Sequence, residues 1–396
     1  MNKDYLNNVP AERFAVIIPT RRRIIESAPA QLPRYEYNAN VLARKLHPHH
    51  QQVIVSDVKE LYNAKVYTLK ADKERETEEL AYFRAGQYIS LDLEINGSRL
   101  TRPYSLCSSP AQALDGEYQI VVKSMRNGFA SDYIHENFKV GTRLEISEPS
   151  GFFNHEPLRD GNKVVGIAGG SGIAPFLSMA RAIADSSENF ELTLLYGSRT
   201  EAEILFREEL DELQNKCDKI KVIHVLSDEE REGYRRGFIS ADLISEVLPE
   251  DGSVFVCGSQ GMYDYIRGEC EKLGLPIRRV RFDAYGEYRL GKRDEEFLNA
   301  QKGKIYELTV MTNDGQCHKI PARSEESILV AIERAGIKAP SKCRSGECGW
   351  CRTRLVAGQV YIPEMTERRR EYDRVAGYVH ACCCFPCSDC TVSINC

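Results

Sequence analysis

The sequence predicts a multidomain chain: an antiparallel β unit, then a parallel-sheet α/β unit, then a smaller α+β unit. Three observations carry this. Short β-rich runs recur between Val53 and Asn154, strand-like and helix-like runs alternate from Asn162 to Tyr288, and nine of fourteen cysteines crowd between Cys343 and Cys396.

In the first stretch Val53, Val55 and Val58, then Val66 and Tyr67, then residues 88–93 and 118–122 form short apolar or β-branched runs between turn residues. That spacing predicts a small antiparallel barrel or sandwich over 53–155. Over 160–290, the runs 164–168, 192–196, 221–226 and 254–257 read as buried strands with helical stretches between them. This is the order of a parallel sheet with crossover helices. The charged residues 291–304 read as a linker, and alternating Tyr306, Leu308 and Val310 open a third unit over 305–396. Residues 1–52 read as an irregular, Pro-punctuated extension. Its Arg21, Arg22 and Arg23 suit a solvated helix face or arm, and His47, His49 and His50 suit the end of a short helix.

Bulk properties narrow the function. A net charge of −5 and a pI near 6.0 give no basis for nucleic-acid binding. No run approaches the roughly 18 apolar residues of a membrane span, and the first residues lack the apolar stretch of a secretory signal. The expected location is cytoplasmic. In such a compartment clustered cysteines point to metal ligation rather than to disulfides.

Cys343, Cys348 and Cys351 stand in C-x4-C-x2-C spacing, with further cysteines about thirty residues on. Two irons need four thiolates, and one compact loop of small residues (CRSGECGWC) can present three of them while its N–H groups approach the sulfurs. Zinc knuckles pair two short C-x2-4-C motifs instead. On spacing alone the fourth ligand stays open among Cys382, Cys383, Cys384, Cys387 and Cys390. Residues from about 305 to 396 resemble a plant-type ferredoxin domain, whose fold is β-grasp-like. The resemblance implies a [2Fe–2S] cluster with Cys382, after His380 and Ala381, as fourth ligand; the sequence departs from the family in its surplus of thiols.

Arg102, Pro103, Tyr104 and Ser105 follow a Gly-containing strand, and Gly128 and Ser131 stand at a helix start. In this order they resemble the flavin-binding β-barrel of the ferredoxin–NADP reductase superfamily. The resemblance implies that Arg102 holds a phosphate, Tyr104 packs on the isoalloxazine and Ser105 reaches its N5. It also implies a pyrophosphate at Gly128 and Ser131, and hence FAD. Further on, Gly169, Gly170 and Gly172 form a Gly-rich turn between strand and helix, which lets the backbone approach a pyrophosphate. Pro175 takes the place of the third glycine, so the G-x-G-x-x-G fingerprint fails. The turn GGSGIAP instead resembles that of the same superfamily. So do LLYGSR, ending in Arg199, and Cys257–Gly258, where Ser259 replaces a proline. By this likeness Cys257 lies near the hydride path, and with Ser105 it forms the expected catalytic pair. Arg199 could accept a 2′-phosphate while Glu201 and Glu203 would repel one, so the nucleotide is NADH or NADPH, with NADH favoured.

The order flavin, nicotinamide, ferredoxin resembles the reductase components of multicomponent oxygenases. It implies an NAD(P)H-dependent oxidoreductase passing electrons singly, through FAD and the cluster, to a redox partner protein such as an oxygenase or other metalloenzyme component. Lys342, Arg344, Arg352 and Arg354 flank the cluster loop as an expected docking rim for an acidic partner. Two alternatives stand beside this: a self-contained flavin reductase of a small molecule, and a non-catalytic iron–sulfur redox sensor or binding subunit. The nicotinamide motifs argue against the sensor.

Overall fold

A computed structural model describes residues 11–27, 37–46, 48–125, 127–283 and 286–394. The chain divides into two units, Met1–Lys45 and Leu46–Cys396. Two helices, α1 (Ala11–Ser27) and α2 (Asn38–Leu46), occupy the N-terminal stretch where irregular chain was expected. Its prolines read as breaks, yet Pro19 lies inside α1, removing one backbone donor without ending the helix. Arg21, Arg22 and Arg23 are exposed on α1. Helix α2 stops just short of the histidine group, of which His47 falls outside the described residues.

The second unit begins with β1 (His50–Leu61), β2 (Ala64–Ala71), β3 (Tyr88–Ile95), β4 (Ser98–Ser105), β5 (Glu117–Lys123) and β6 (Arg143–Ser147). They form one antiparallel sheet in the order β4-β3-β6-β1-β2-β5, and a bridge from Leu106 to Ile120 joins its two edges into a barrel. Alternation explains the inside: Val53, Val55, Leu91 and Leu93 point inward with Ile120 and Val122. Asn96 and Gly97 make the two-residue β3–β4 turn, both at positive φ, as the right-handed twist of a tight hairpin requires. Short helices α3 (Pro110–Leu114) and α4 (Phe129–Asn137) flank the barrel.

Next comes a fully parallel sheet of β7 (Lys163–Gly169), β8 (Glu191–Ser198), β9 (Ile220–Leu226), β10 (Arg235–Arg236), β11 (Ser253–Cys257) and β12 (Val280–Phe282), in the order β10-β9-β8-β7-β11-β12. Four helices connect these strands: α5 (Ala174–Ala184), α6 (Arg207–Lys216), α7 (Ala241–Val247) and α8 (Gln260–Lys272). Strand order reverses at β7, which opens a crevice at the carboxyl ends of β7 and β11. The central strands are apolar on both faces because helices cover both.

The expected linker is partly helical. Within it α9 (Glu295–Gln301) stacks Phe297 on the Tyr361 ring, 4.3 Å between centroids. Its charged residues lie outward, and Phe297 alone marked the packed side. The last sheet runs β14-β13-β19-β15-β17 and is built from β13 (Ile305–Met311), β14 (Cys317–Arg323), β15 (Arg352–Ala357), β17 (Tyr378–His380) and β19 (Cys390–Ile394). A two-stranded ladder of β16 (Val360–Tyr361) and β18 (Phe385–Pro386) lies beside it. Helix α10 (Ile328–Arg334) buries Ile328, Leu329 and Ile332 in this unit's core, and α11 (Glu371–Val375) precedes β17. Among the described residues no helix is long and apolar enough to cross a membrane.

Candidate active site and cluster centre

A cavity of about 1140 Å³ runs between the barrel and the parallel sheet. Tyr104, Ser105 and Ser131 line its barrel side, and Gly169, Gly170 and Arg199 its sheet side. Its volume exceeds the roughly 300–1,000 Å³ of a typical single-ligand site, so two elongated nucleotide groups fit side by side.

Each glycine of the turn after β7 has its own reason. A Cβ on Gly169 would meet Met262 Sδ at 2.4 Å, and one on Gly172 would meet the Cys257 carbonyl oxygen at 2.2 Å. These two let the turn close against the end of β11. Gly170 has φ +55, and a Cβ there would come within 3.2 Å of Lys123 Nζ. Lys123, which the sequence did not single out, thus sets an ammonium over the turn. Gly258 also lines the cavity, and Ser259 caps α8 by accepting from the Met262 N–H at 3.3 Å. The serine that replaces a proline therefore has a local structural task.

On the barrel side Gly128 caps α4 and Ser131 donates to its carbonyl at 3.4 Å. Arg102 donates from Nη1 to the Thr101 carbonyl at 2.9 Å and pairs through Nη2 with Glu287 Oε1 at 3.1 Å. Ser105 Oγ donates to Asp283 Oδ2 at 3.3 Å, and Cys257 Sγ lies 3.8 Å from the same oxygen. The expected catalytic pair is therefore joined by a third residue. Burial pushes the Asp283 carboxyl up to about 7, Glu347 adds to the rise, and the Ser105 and Cys257 hydrogen bonds oppose it. Asp283 follows an ordinary strand, and only its place in the fold distinguishes it. Cys257 is fully buried behind the cavity wall.

At the nucleotide end Arg199 is exposed but clamped by Glu203, at 2.6 Å from Nη2 and 3.1 Å from Nε. Glu203 itself is mostly buried and lines the cavity.

The cluster loop brings its sulfurs together in two pairs. Cys351 Sγ lies 3.2 Å from Cys382 Sγ, while the Cys348 N–H donates to Cys343 Sγ at 3.3 Å. Further amides point inward: Ser345 N–H to Cys343 Sγ at 3.5 Å and Trp350 N–H to Cys348 Sγ at 3.4 Å. Among the described residues no three Cys, His, Asp or Glu donors converge on one point, as a lone zinc ion would need. Two pairs of cysteine sulfurs with inward amides suit a two-iron cluster. Cys383 Sγ is 3.5 Å from Cys382 Sγ, whereas Cys384 and Cys390 pack in the core as small hydrophobes. His380 Nδ1 lies 2.7 Å from the Gly346 carbonyl, tying the turn that bears Cys382 to the loop.

The expected docking rim is corrected in half. Lys342 is buried, pairs with Glu148 at 2.6 Å and lies 3.7 Å from the Trp350 ring centroid. Arg344 is wholly buried between Glu333 and Glu287. Both turn inward because carboxylates on neighbouring elements neutralise them, so neither faces a partner. Arg352 pairs with Asp373 at 2.6 Å over the Tyr378 ring, and Arg354 is exposed.

Comparison with known proteins agrees with this layout. Residues 53–155 match the oxidoreductase FAD-binding domain, 167–268 the oxidoreductase NAD-binding domain and 311–387 the 2Fe-2S iron-sulfur cluster binding domain. The chain is 27% identical over 353 residues to a glycine betaine monooxygenase reductase subunit of Chromohalobacter salexigens, covering 85% of this chain and 93% of that one. It is 30% identical over 318 residues to the ferredoxin reductase component of a 3-ketosteroid-9-alpha-monooxygenase of Mycobacterium tuberculosis, covering 78% and 84%. The solved structure of a phthalate dioxygenase reductase shares the fold, with a TM-score of 0.62 at 24% identity, covering 88% of this chain and 98% of that one. The three domains in this order, with near full-length similarity, mean that the chain belongs to the family of FAD-, NAD- and [2Fe–2S]-containing reductase components of multicomponent oxygenases.

Proposed function

We propose that the chain oxidises NADH at the flavin cavity and delivers electrons singly, through a cluster held by Cys343, Cys348, Cys351 and Cys382, to a terminal oxygenase. The carrying observation is that the cluster loop packs directly on the flavin strand, with Thr101 Oγ1 2.7 Å from Ser341 Oγ. When bound, FAD takes the two electrons of a hydride and the cluster takes one at a time.

The chain's own residues bind and orient. Arg102 presents a guanidinium fork to a flavin phosphate, and Gly128 and Ser131 offer the start of α4 to the pyrophosphate. Tyr104 packs on the ring. On the sheet side, the turn of Gly169, Gly170 and Gly172 with the Lys123 ammonium receives the nucleotide pyrophosphate, and Gly258 floors the nicotinamide end with Cys257 buried behind it. Asp283 governs Ser105. While protonated it would donate to the serine oxygen and leave the hydroxyl hydrogen free for a bound flavin; once ionised it takes that hydrogen for itself.

Nucleotide choice follows from Glu203. It neutralises Arg199 and sets a negative charge where a 2′-phosphate would lie, which favours NADH. Arg354, exposed on the strand that follows the cluster loop, supplies positive charge for an acidic patch on the oxygenase, while Arg352 is neutralised by Asp373. A cytoplasmic setting belongs to the same reading, supported by the need of thiolate ligands for a reducing compartment.

Anaerobic titration of the holoenzyme with NADH, followed by low-temperature EPR, should give a rhombic [2Fe–2S] signal as the flavin bleaches. A bleached flavin beside a cluster that stays oxidised would sink the proposed path. Glu203→Gln should raise the ratio of kcat/KM for NADPH over NADH by about tenfold, equal to about 1.4 kcal/mol; an unmoved ratio would clear Glu203 of any part in the choice. The rate of flavin reduction should fall as pH rises through about 7 and become flat in Asp283→Asn, with stopped-flow absorbance as the check. The same profile in the variant would assign the titration to another group. Arg354→Glu should slow reduction of the purified oxygenase at low ionic strength, with the difference shrinking as salt screens it. Equal slowing at all salt concentrations would argue against electrostatic docking there.

A further inference from the structure

We propose that Glu287 is a positioning residue that clamps the cluster loop to the flavin-binding strand and so sets the geometry of electron transfer between them. The inference rests on the reading of the cavity as the flavin site and of the Cys343 loop as the cluster site.

One carboxylate oxygen carries the argument. Glu287 Oε1 accepts from Arg102 Nη2 on β4 at 3.1 Å and from Arg344 Nη2 in the cluster loop. Arg344 is also held bidentately by Glu333 of α10, Nη1 to Oε1 at 2.5 Å and Nη2 to Oε2 at 2.8 Å. Two cations and two anions thus form a chain from the flavin strand to the core of the ferredoxin domain. The Arg344 side chain has no solvent exposure, and its backbone sits at φ +61, a left-handed conformation that a non-glycine residue adopts at a cost. Such an outlier persists only where its surroundings over-determine it.

The segment bearing Glu287 is itself threaded into the seam. The Gly286 N–H donates to the carbonyl of Cys343, an expected cluster ligand, at 3.0 Å. Around it Ser90 Oγ donates to the Lys342 carbonyl at 3.4 Å, and Thr101 contacts Ser341. Burial alone would raise the Glu287 carboxyl, yet the Arg344 and Arg102 guanidiniums hold it below the usual range. Without that charge the two guanidiniums are left as like neighbours with Glu333 alone to neutralise them. The seam then loosens at the point where the two cofactor sites meet. A misplacement of about 1 Å between reacting groups can cost on the order of 100-fold in rate.

The test is made on the holoenzyme. In stopped-flow with NADH, flavin bleaching and cluster reduction are followed separately, and their rate ratio is the readout. Glu287→Gln and Glu287→Ala should lower the cluster-to-flavin ratio at least about tenfold, with Glu287→Asp recovering most of it. Hydrogen exchange should rise over 286–289 and 338–344 in the Gln and Ala variants and stay as it was in β7 and β8. If the Ala variant fails to retain flavin, Arg344→Lys, which keeps a cation but loses the fork, must lower the ratio likewise. An unchanged ratio overturns the proposal. So does tighter flavin binding with the ratio intact, which would make Glu287 only a placeholder for a phosphate on Arg102. A wild-type protein that never reduces its cluster would instead overturn the electron path on which the proposal rests.

Discussion

A guanidinium shut away from water stays charged only where carboxylates surround it, and removing one partner of such a buried pair costs about 3–5 kcal/mol. Arg344 stands in that position, between α10 and the strand of the flavin barrel, and much of the architecture is arranged around it. The ferredoxin sheet presents Glu333 from a buried helix, and the strap after β12 presents Glu287. The β3–β4 hairpin presents Arg102, Thr101 and Ser90 along one edge. Barrel and parallel sheet already share an apolar cluster that includes Val66, Val121, Phe153 and Phe176, and the ferredoxin unit, with its own core, meets them at this polar seam. Apolar packing would have joined them as firmly, but a bidentate ion pair also fixes direction. Direction is what two cofactor sites with a fixed separation require.

The crevice opposite is governed by close approach rather than charge. Gly169 and Gly172 leave no room for a side chain against Met262 and the end of β11, and Gly170 alone of the three faces Lys123 across the opening. The turn therefore serves packing and ligand approach with different glycines. This explains how the motif tolerates Pro175 where a third glycine would stand in a dinucleotide fold of the usual kind. The helix start needs a fixed φ more than it needs freedom.

Much of this was legible in the residues. Short β-rich runs between turn residues marked the barrel, alternating strand-like and helix-like runs marked the parallel sheet, and the C-x4-C-x2-C spacing marked the cluster loop. Those signals are local, because backbone periodicity and ligand spacing are written in consecutive residues. What stayed hidden depends on the meeting of distant segments. Asp283 joins Ser105 and Cys257 only once the barrel and sheet are side by side, and Lys123 lies over Gly170 for the same reason. Lys342 and Arg344 read as a surface rim because charge next to a loop is usually solvated; their neutralising partners Glu148 and Glu287 lie far away in sequence, and Glu333, eleven residues off, reaches Arg344 only from the buried face of α10. The helix α9 was hidden by its charges, since a single aromatic gives no periodicity to detect.

Cys348 is exposed while Cys343, Cys351 and Cys382 are buried. A thiolate at the surface is open to whatever diffuses past, dioxygen included, and burial does nothing there to sort one oxidant from another. On the proposed reading, contact time would then sort the acceptors: a docked protein collects the electron, and a small molecule that only collides rarely does.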